Sequence, residues 1–314
     1  MEKHLEFFIT YTCPYNCVFC TETLWMRKSK WKFFPTKEIK KRLILRRRQG
    51  FTIVKFVGGE PTLHPDFLEI LKFSKKLKYK TGFPTNGLML ARLDFCKTVV
   101  PFLDEISFSI HGHNAKTHDK LVGKSGAFNN VIRAIKNLDL GKSVDKFANI
   151  VVVKDNFRNI EKIFDFLHKY NFEKVLLSNM IPADGAGFKT NGLGYKNFGK
   201  LTVRLQDWEK GLPQIIKKAK LYNISIQTSG LPICILKKYK FLSNDFLRSA
   251  KTWADRSAEK KISIETISEY PSDATTVAIK TKVCENCRYE KICLGIFEEY
   301  YKIFGDKELK PFRN

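Results

Sequence analysis

Runs of β-branched and aromatic residues alternate with amphipathic segments along most of this chain, and no other feature restricts its fold as strongly. The runs are Leu5 to Thr12, Thr52 to Val57, Tyr79 to Phe83, Glu105 to Ile110, Phe147 to Val153 and Lys174 to Met180. Between them lie segments of helical periodicity, Glu38 to Gln49, Asp66 to Leu77, Phe128 to Leu138 and Asn159 to Tyr170. Neighbouring parallel strands need a crossover between them, usually a helix, so the alternation predicts βα units and a parallel sheet. Conspicuous residues at the ends of the strands then fit a barrel-like α/β enzyme.

Cys13, Cys17 and Cys20 stand in the string CPYNCVFC, directly after the first run. Three soft thiolates in one short loop suit an iron-sulfur cluster, whereas structural zinc asks for four ligands and no vacancy. Three ligands on four irons leave one iron open to bind a substrate or cofactor. Gly58-Gly59-Glu60-Pro61 closes the second run. Glycines there let backbone approach a ligand closely, and the glutamate can receive an ammonium group. Thr85-Asn86-Gly87 follows the third run, and the two-residue period of a strand puts Ser107 and Ser109 on one face of the fourth.

Taken in this order, the motifs resemble those of the radical S-adenosylmethionine (radical SAM) enzymes: the CxxxCxΦC signature, with Phe19 as its aromatic position, then GGEP, then the end of the third strand. The resemblance implies a 4Fe-4S cluster on Cys13, Cys17 and Cys20 whose open iron chelates S-adenosylmethionine. An electron from the cluster breaks the sulfonium bond, and the 5'-deoxyadenosyl radical removes a hydrogen atom from the substrate. It further implies cofactor-binding roles for Phe19, Gly58, Gly59, Glu60, Pro61, Thr85 and Asn86, with Ser109 at the methionine or ribose and Asn149 at the ribose hydroxyls. No catalytic residue beyond the cluster is expected. The implied fold is a partial (β/α)6 TIM-like barrel with a small C-terminal iron-sulfur extension, divided as residues 1–230 and 231–314.

Cys284, Cys287 and Cys293 form a second group, preceded by Cys234 in Leu231-Pro232-Ile233-Cys234. By spacing alone four cysteines suit zinc nearly as well as iron and sulfur. CxxCx5C resembles the core of the SPASM and shorter twitch extensions, which implies an auxiliary 4Fe-4S cluster. A full SPASM pattern would place cysteine where Phe297 stands, so one auxiliary site is expected rather than two. Cys96, the last of the eight cysteines, is expected to be a small buried hydrophobe. Thiols at ligand spacing and no secretory signal predict a reducing, cytoplasmic setting, and no stretch has the length of a membrane span. Cys13 stands so near the start that no leader-binding domain is expected before it.

Other features are read more plainly. The glycine-rich stretch Ala183 to Gly199 is expected to be a loop at the barrel mouth, a substrate lid and the likeliest domain boundary. His111 and His113 are expected to belong to the fourth-strand loop rather than to act as bases. Trp25, Trp31, Phe33 and Phe34 either stack on a substrate or cover the cluster. With 56 Lys and Arg against 32 Asp and Glu, the net charge is +24, and the basic runs Lys37 to Arg48 and Lys72 to Lys80 are expected on solvated outer helices. The partners implied are a peptide or a small-molecule substrate and an external flavodoxin- or ferredoxin-like electron donor. RNA modification, and a zinc-stabilised nucleic-acid binder, are weaker readings resting on charge.

Overall fold

The first strand shows how sequence and sheet fit together. β1 (Lys3–Thr10) turns Leu5, Phe7 and Ile9 to one side, where all three are fully buried, and His4 and Glu6 to the other, where they line a cavity. One face of the sheet thus meets helices and the other faces an interior, the two-residue period of a strand made visible. The computed structural model describes residues 2–29, 31–141, 144–183, 192–245, 251–255, 267–269 and 277–313.

After β1 come β2 (Phe51–Gly58), β3 (Lys80–Thr85), β4 (Glu105–Ser109), β5 (Asp145–Val152), β6 (Lys174–Asn179) and β7 (Ser225–Ser229), each parallel to its neighbour. β8 (Lys251–Asp255) lies parallel along the other edge of β1, and β9 (Ile267–Glu269) pairs antiparallel with β8. The strand order is therefore β7-β6-β5-β4-β3-β2-β1-β8-β9. This is a partial barrel of the expected type, with β7 added to the six strands predicted. β8 comes from the segment beyond residue 230, so that segment also contributes to the main sheet.

The helices are α1 (Thr23–Lys28), α2 (Thr36–Arg48), α3 (Phe67–Lys76), α4 (Leu93–Val99), α5 (Ala115–Val122), α6 (Ala127–Asp139), α7 (Lys154–Phe157), α8 (Ile160–Lys169), α9 (Leu193–Leu201), α10 (Leu205–Leu221), α11 (Ile233–Leu236) and α12 (Glu298–Phe304). A small antiparallel pair, β10 (Ala278–Ile279) with β11 (Ile296–Phe297), frames the C-terminal part. α8 illustrates how a helix docks: Ile160, Ile163, Phe164 and Leu167 recur at helical spacing and are buried, each worth roughly 1.5–3 kcal/mol of transfer from water. Among the described residues no helix is long and apolar enough to cross a membrane.

Two expectations change here. Residues 193–199, expected as loop, belong to α9, because Phe198 buries an apolar face; residues 184–191, including Gly185 and Gly187, lie outside the described residues. The basic run on α2 is only partly solvated. Arg42 and Arg46 are buried, with the Arg42 guanidinium 5.6 Å from the Phe34 ring centre. Arg47 donates to the carbonyls of Leu77 and Phe51 at 2.8 and 3.0 Å, tying α2 to the start of β2 and the end of α3. Cys96 is buried on α4, as expected.

Candidate functional site

Because β1 to β7 run the same way, the loops after them share one rim. These loops carry the cysteine string, GGEP, TNG, the histidine loop and, after β7, α11 with Cys234. A parallel barrel holds its chemistry on this rim.

The cysteine loop is fixed from three sides. Asn16 and Val18 donate their backbone N–H groups to the carbonyls of Val122 and Leu121, both at 3.0 Å. α9 supplies the second support: Gly194 N–H donates to the Cys20 carbonyl at 3.2 Å, and Asn197 Nδ2 to the Val18 carbonyl at 2.7 Å. A Cβ on Gly194 would stand 2.9 Å from the Ala183 carbonyl oxygen, so this glycine serves close helix packing. The part of the expected lid that is described therefore buttresses the cysteines. Tyr11 and Trp25 form the third support, with ring centres 6.1 Å apart. Phe34 is a core residue packed edge-on against Phe7, which corrects its expected place over a cluster or substrate.

Cys13, Cys17 and Cys20 are thiols outside any disulfide, at partly exposed positions. Burial pushes Cys13 up to about 11 and holds Cys17 well above the ordinary thiol range, with Cys20 and Cys13 adding to the effect on Cys17. Ionising these thiols needs positive charge beside them, which iron would supply. Among the described residues no group of three or more His, Cys, Asp or Glu side chains is arranged to hold a single metal ion. Three thiols on one short loop are a donor set that fits an iron-sulfur cluster.

Gly58 and Gly59 answer to the protein's own backbone before any ligand. Gly59 and Glu60 donate N–H to the carbonyls of Thr10 and Thr12, both at 2.8 Å. A Cβ on Gly58, whose φ is +136°, would fall 1.9 Å from the Thr10 oxygen, and one on Gly59 would fall 2.4 Å from that of Thr12. The pair thus presses the end of β2 against the start of the cysteine loop. Glu60 is 1% exposed and reaches across to β3. Its Oε1 accepts from the Thr62 hydroxyl and from Thr85 Oγ1 at 3.0 Å, and its Oε2 from Asn86 N–H at 2.7 Å. Burial raises its pKa against the pull of these donors. With four acceptor sites on a carboxylate, Oε2 is the oxygen with capacity left for a further cation. Pro61 opens a short 3-10 turn, Pro61–Leu63, that holds Thr62 in place.

Ser109 and Asn149 are register partners on β4 and β5, and Asn149 Oδ1 accepts from Ser178 Oγ at 3.4 Å. Asn149 sits inside its strand rather than at a turn. With Ser107, Glu6, Lys55, Glu105 and Gln227 it lines a cavity of about 1110 Å³ that takes in the strand starts at Asp145, Lys174 and Ser225. Its lining mixes polar and apolar groups, and a Lys55–Glu105 ion pair of 2.7 Å lies along its wall.

Phe19 packs edge-on against His111, ring centres 4.6 Å apart. His111 and His118 are buried, and both are held below the ordinary imidazole range, His118 to about 4, chiefly by burial. His111 Nδ1 accepts Val151 N–H, and His118 Nδ1 accepts His111 N–H, each at 3.2 Å. Neutral rings committed to backbone donors are structural parts of the fourth-strand loop. His113 lies beside Asn114, its Nε2 2.8 Å from Asn114 Nδ2.

Cys234, Cys284, Cys287 and Cys293, well separated in sequence, line one small pocket of about 20 Å³ with Ile233, Leu309, Pro311 and Phe312. Cys293 Sγ accepts N–H from Ile233 and Gly295, both at 3.4 Å. Gly295, at φ +88°, is pressed to the Ile279 carbonyl, where a Cβ would come within 2.2 Å. Burial pushes the Cys234 thiol up to about 12, with the three other cysteines adding to it. Four thiols around one pocket are a donor set that serves a closed four-cysteine iron-sulfur cluster or zinc.

Sequence reasoning missed α10, whose Gly211 and Pro213 break the look of a helix, and β7, which is short. It also missed that Asn86 reaches the cysteine loop: Asn86 Nδ2 lies 3.7 Å from Cys13 Sγ. No sequence signal marks that contact.

Comparison with known proteins gives consistent matches. The model of the radical SAM superfamily matches residues 7–167. A probable GTP 3',8-cyclase of Saccharolobus islandicus is 33% identical over 246 residues, 76% of this chain and 75% of that protein. The mycofactocin maturase MftC of Mycolicibacterium smegmatis is 26% identical over 162 residues, 52% of this chain and 41% of that protein. Among solved structures, Streptococcus suis SuiB bound to its precursor peptide SuiA has a TM-score of 0.65 at 20% identity, covering 100% of this chain and 75% of that one. That likeness speaks to the fold.

Proposed function

Since the chain belongs to the radical SAM superfamily, we propose that it generates a 5'-deoxyadenosyl radical at a 4Fe-4S cluster on Cys13, Cys17 and Cys20. The radical then removes hydrogen from a small polar substrate held in the barrel, with a second 4Fe-4S cluster on Cys234, Cys284, Cys287 and Cys293. The observation that carries this reading is the meeting of three motifs at one point: the glutamate of GGEP is held by Thr85 and Asn86 of TNG, and Asn86 touches Cys13.

When bound, the first cluster would supply the electron that breaks the sulfonium bond of S-adenosylmethionine, and the second would accept one electron from the substrate radical left by hydrogen abstraction. The residues do the rest. Glu60 Oε2 receives the cofactor's ammonium group, and Gly58, Gly59 and Pro61 fix that carboxylate between β1 and β3. Phe19 covers the cluster loop from the β4 side. Ser109 and Asn149 offer hydroxyl and amide groups to the methionine and ribose parts. Four cysteines at the second site leave no iron open for substrate, which favours electron transfer there.

A nucleotide-class substrate is the first reading, because GTP 3',8-cyclases match about three-quarters of the chain. A peptide is the second reading, favoured by the likeness to MftC and to SuiB with its peptide. An external flavodoxin- or ferredoxin-like protein supplies electrons. The division into a barrel, 1–230, and an auxiliary-cluster part, 231–314, belongs to the same proposal.

Replacing Cys284 and Cys287 by alanine tests the second cluster. The expected result is iron falling from about eight to about four per chain, with reductive cleavage of S-adenosylmethionine retained and substrate turnover lost. Wild-type protein holding about four irons and one tightly bound zinc would refute it.

A further inference from the structure

Asn86 occupies a junction in the site, and its side chain has a task that none of the motif arguments assigns. Its backbone N–H holds Glu60 Oε2 at 2.7 Å. Its side-chain oxygen accepts Leu88 N–H at 3.0 Å, which turns the Nδ2 donor toward the cysteine loop and 3.7 Å from Cys13 Sγ. The turn that carries it is stiff. Gly87 N–H donates to Thr85 Oγ1 at 3.0 Å, and Gly87 itself, at φ +80°, is packed so that a Cβ would lie 3.1 Å from Val131 Cα on α6. Cys20 Sγ receives a backbone donor, Glu22 N–H at 3.4 Å; Cys13 receives one from Tyr15 and, in addition, the Asn86 amide reaching over from another strand.

We propose that the Asn86 amide, by donating to the Cys13 thiolate, raises the reduction potential of the N-terminal cluster. The inference rests on the reading of Cys13, Cys17 and Cys20 as cluster ligands. Adding an electron to a cluster places more negative charge on its sulfurs, so an N–H donor stabilises the reduced form more than the oxidised one. The same residue fixes the carboxylate proposed for the cofactor's ammonium group. Asn86 is thus a positioning residue that ties that carboxylate and the cluster to one rigid turn.

The test compares wild type with Asn86→Ala and with the near-isosteric Asn86→Asp. All three are reconstituted with iron and sulfide and titrated with dithionite in the presence of redox mediators. The reduced signal that responds to added S-adenosylmethionine in electron paramagnetic resonance identifies the first cluster. Loss of one charge-assisted hydrogen bond is expected to shift its reduction equilibrium about tenfold, which lowers the one-electron potential by ~59 mV in Asn86→Ala. Asn86→Asp, which sets a carboxylate against the thiolate, is expected to lie lower still, with wild-type iron content in both. Unchanged potentials at wild-type iron content would overturn the inference and leave the cluster reading standing. A wild-type protein without iron would instead overturn the cluster reading.

Discussion

Glu60→Gln is expected to weaken binding of S-adenosylmethionine by about 10- to 100-fold, the span of one hydrogen bond to a charged group, while the iron content stays at the wild-type level. Glutamine keeps an oxygen for Thr62 and Thr85 but places an amide where Oε2 accepts Asn86 N–H. It also removes the charge that would meet an ammonium group. Equilibrium binding to the reconstituted protein measures the first effect. A second effect follows from burial. Because the folded-state pKa of Glu60 is raised, its contribution to stability is fully present below its ordinary value of 4.5 and is lost as pH rises through the raised one. Denaturation of cofactor-free protein from about pH 4 to about pH 8 should therefore show wild type losing stability relative to Glu60→Gln as pH rises. Equal cofactor affinity in the two proteins would contradict the role given to Glu60.

Gly58→Ala is expected to cost ~4 kcal/mol or more, among the largest effects of a single substitution. The added Cβ would fall 1.9 Å from the Thr10 oxygen at a φ of +136°. Neither clash nor strain can be relieved without parting β1 from β2, whose register ends at Thr10 opposite Gly58. The cost should appear in cofactor-free protein, as a lowered denaturation midpoint or insoluble chain. A Gly58→Ala protein of wild-type stability with impaired cofactor binding would mean that the glycine serves ligand approach instead.

Gly58 also marks the boundary of what sequence can show. Its place at a strand end was legible in the order Thr52 to Val57, then GGEP, but sequence could not tell that the close neighbour is the Thr10 carbonyl rather than a ligand. The parallel sheet was legible because each strand buries one face by a period of two, as Leu5, Phe7 and Ile9 do. α10 was hidden because Pro213 and Gly211 sit inside a helix that Trp208, Leu212 and Ile215 hold by burial. The basic surface was read too simply. A run of arginines looks solvated in one dimension, whereas Arg42 and Arg46 fold inward because α2 presents them to its own apolar face. At the site, the cysteines were legible by spacing, and the gathering of Cys234 with Cys284, Cys287 and Cys293 was inferred from family likeness and then found around one pocket. Asn86 against Cys13 was not legible, because a contact between two loops joined only by the register of β1, β2 and β3 leaves no local pattern.

The most direct test of the central claim is anaerobic reconstitution with iron and sulfide, counting iron and recording electron paramagnetic resonance after reduction. It is made on wild type and on a variant with Cys13, Cys17 and Cys20 all replaced by alanine. The account predicts about eight irons in wild type and about four in the variant, with a wild-type spectrum that changes on adding S-adenosylmethionine and a variant spectrum that does not. A wild-type protein that takes up no iron, or whose spectrum ignores S-adenosylmethionine, would contradict it.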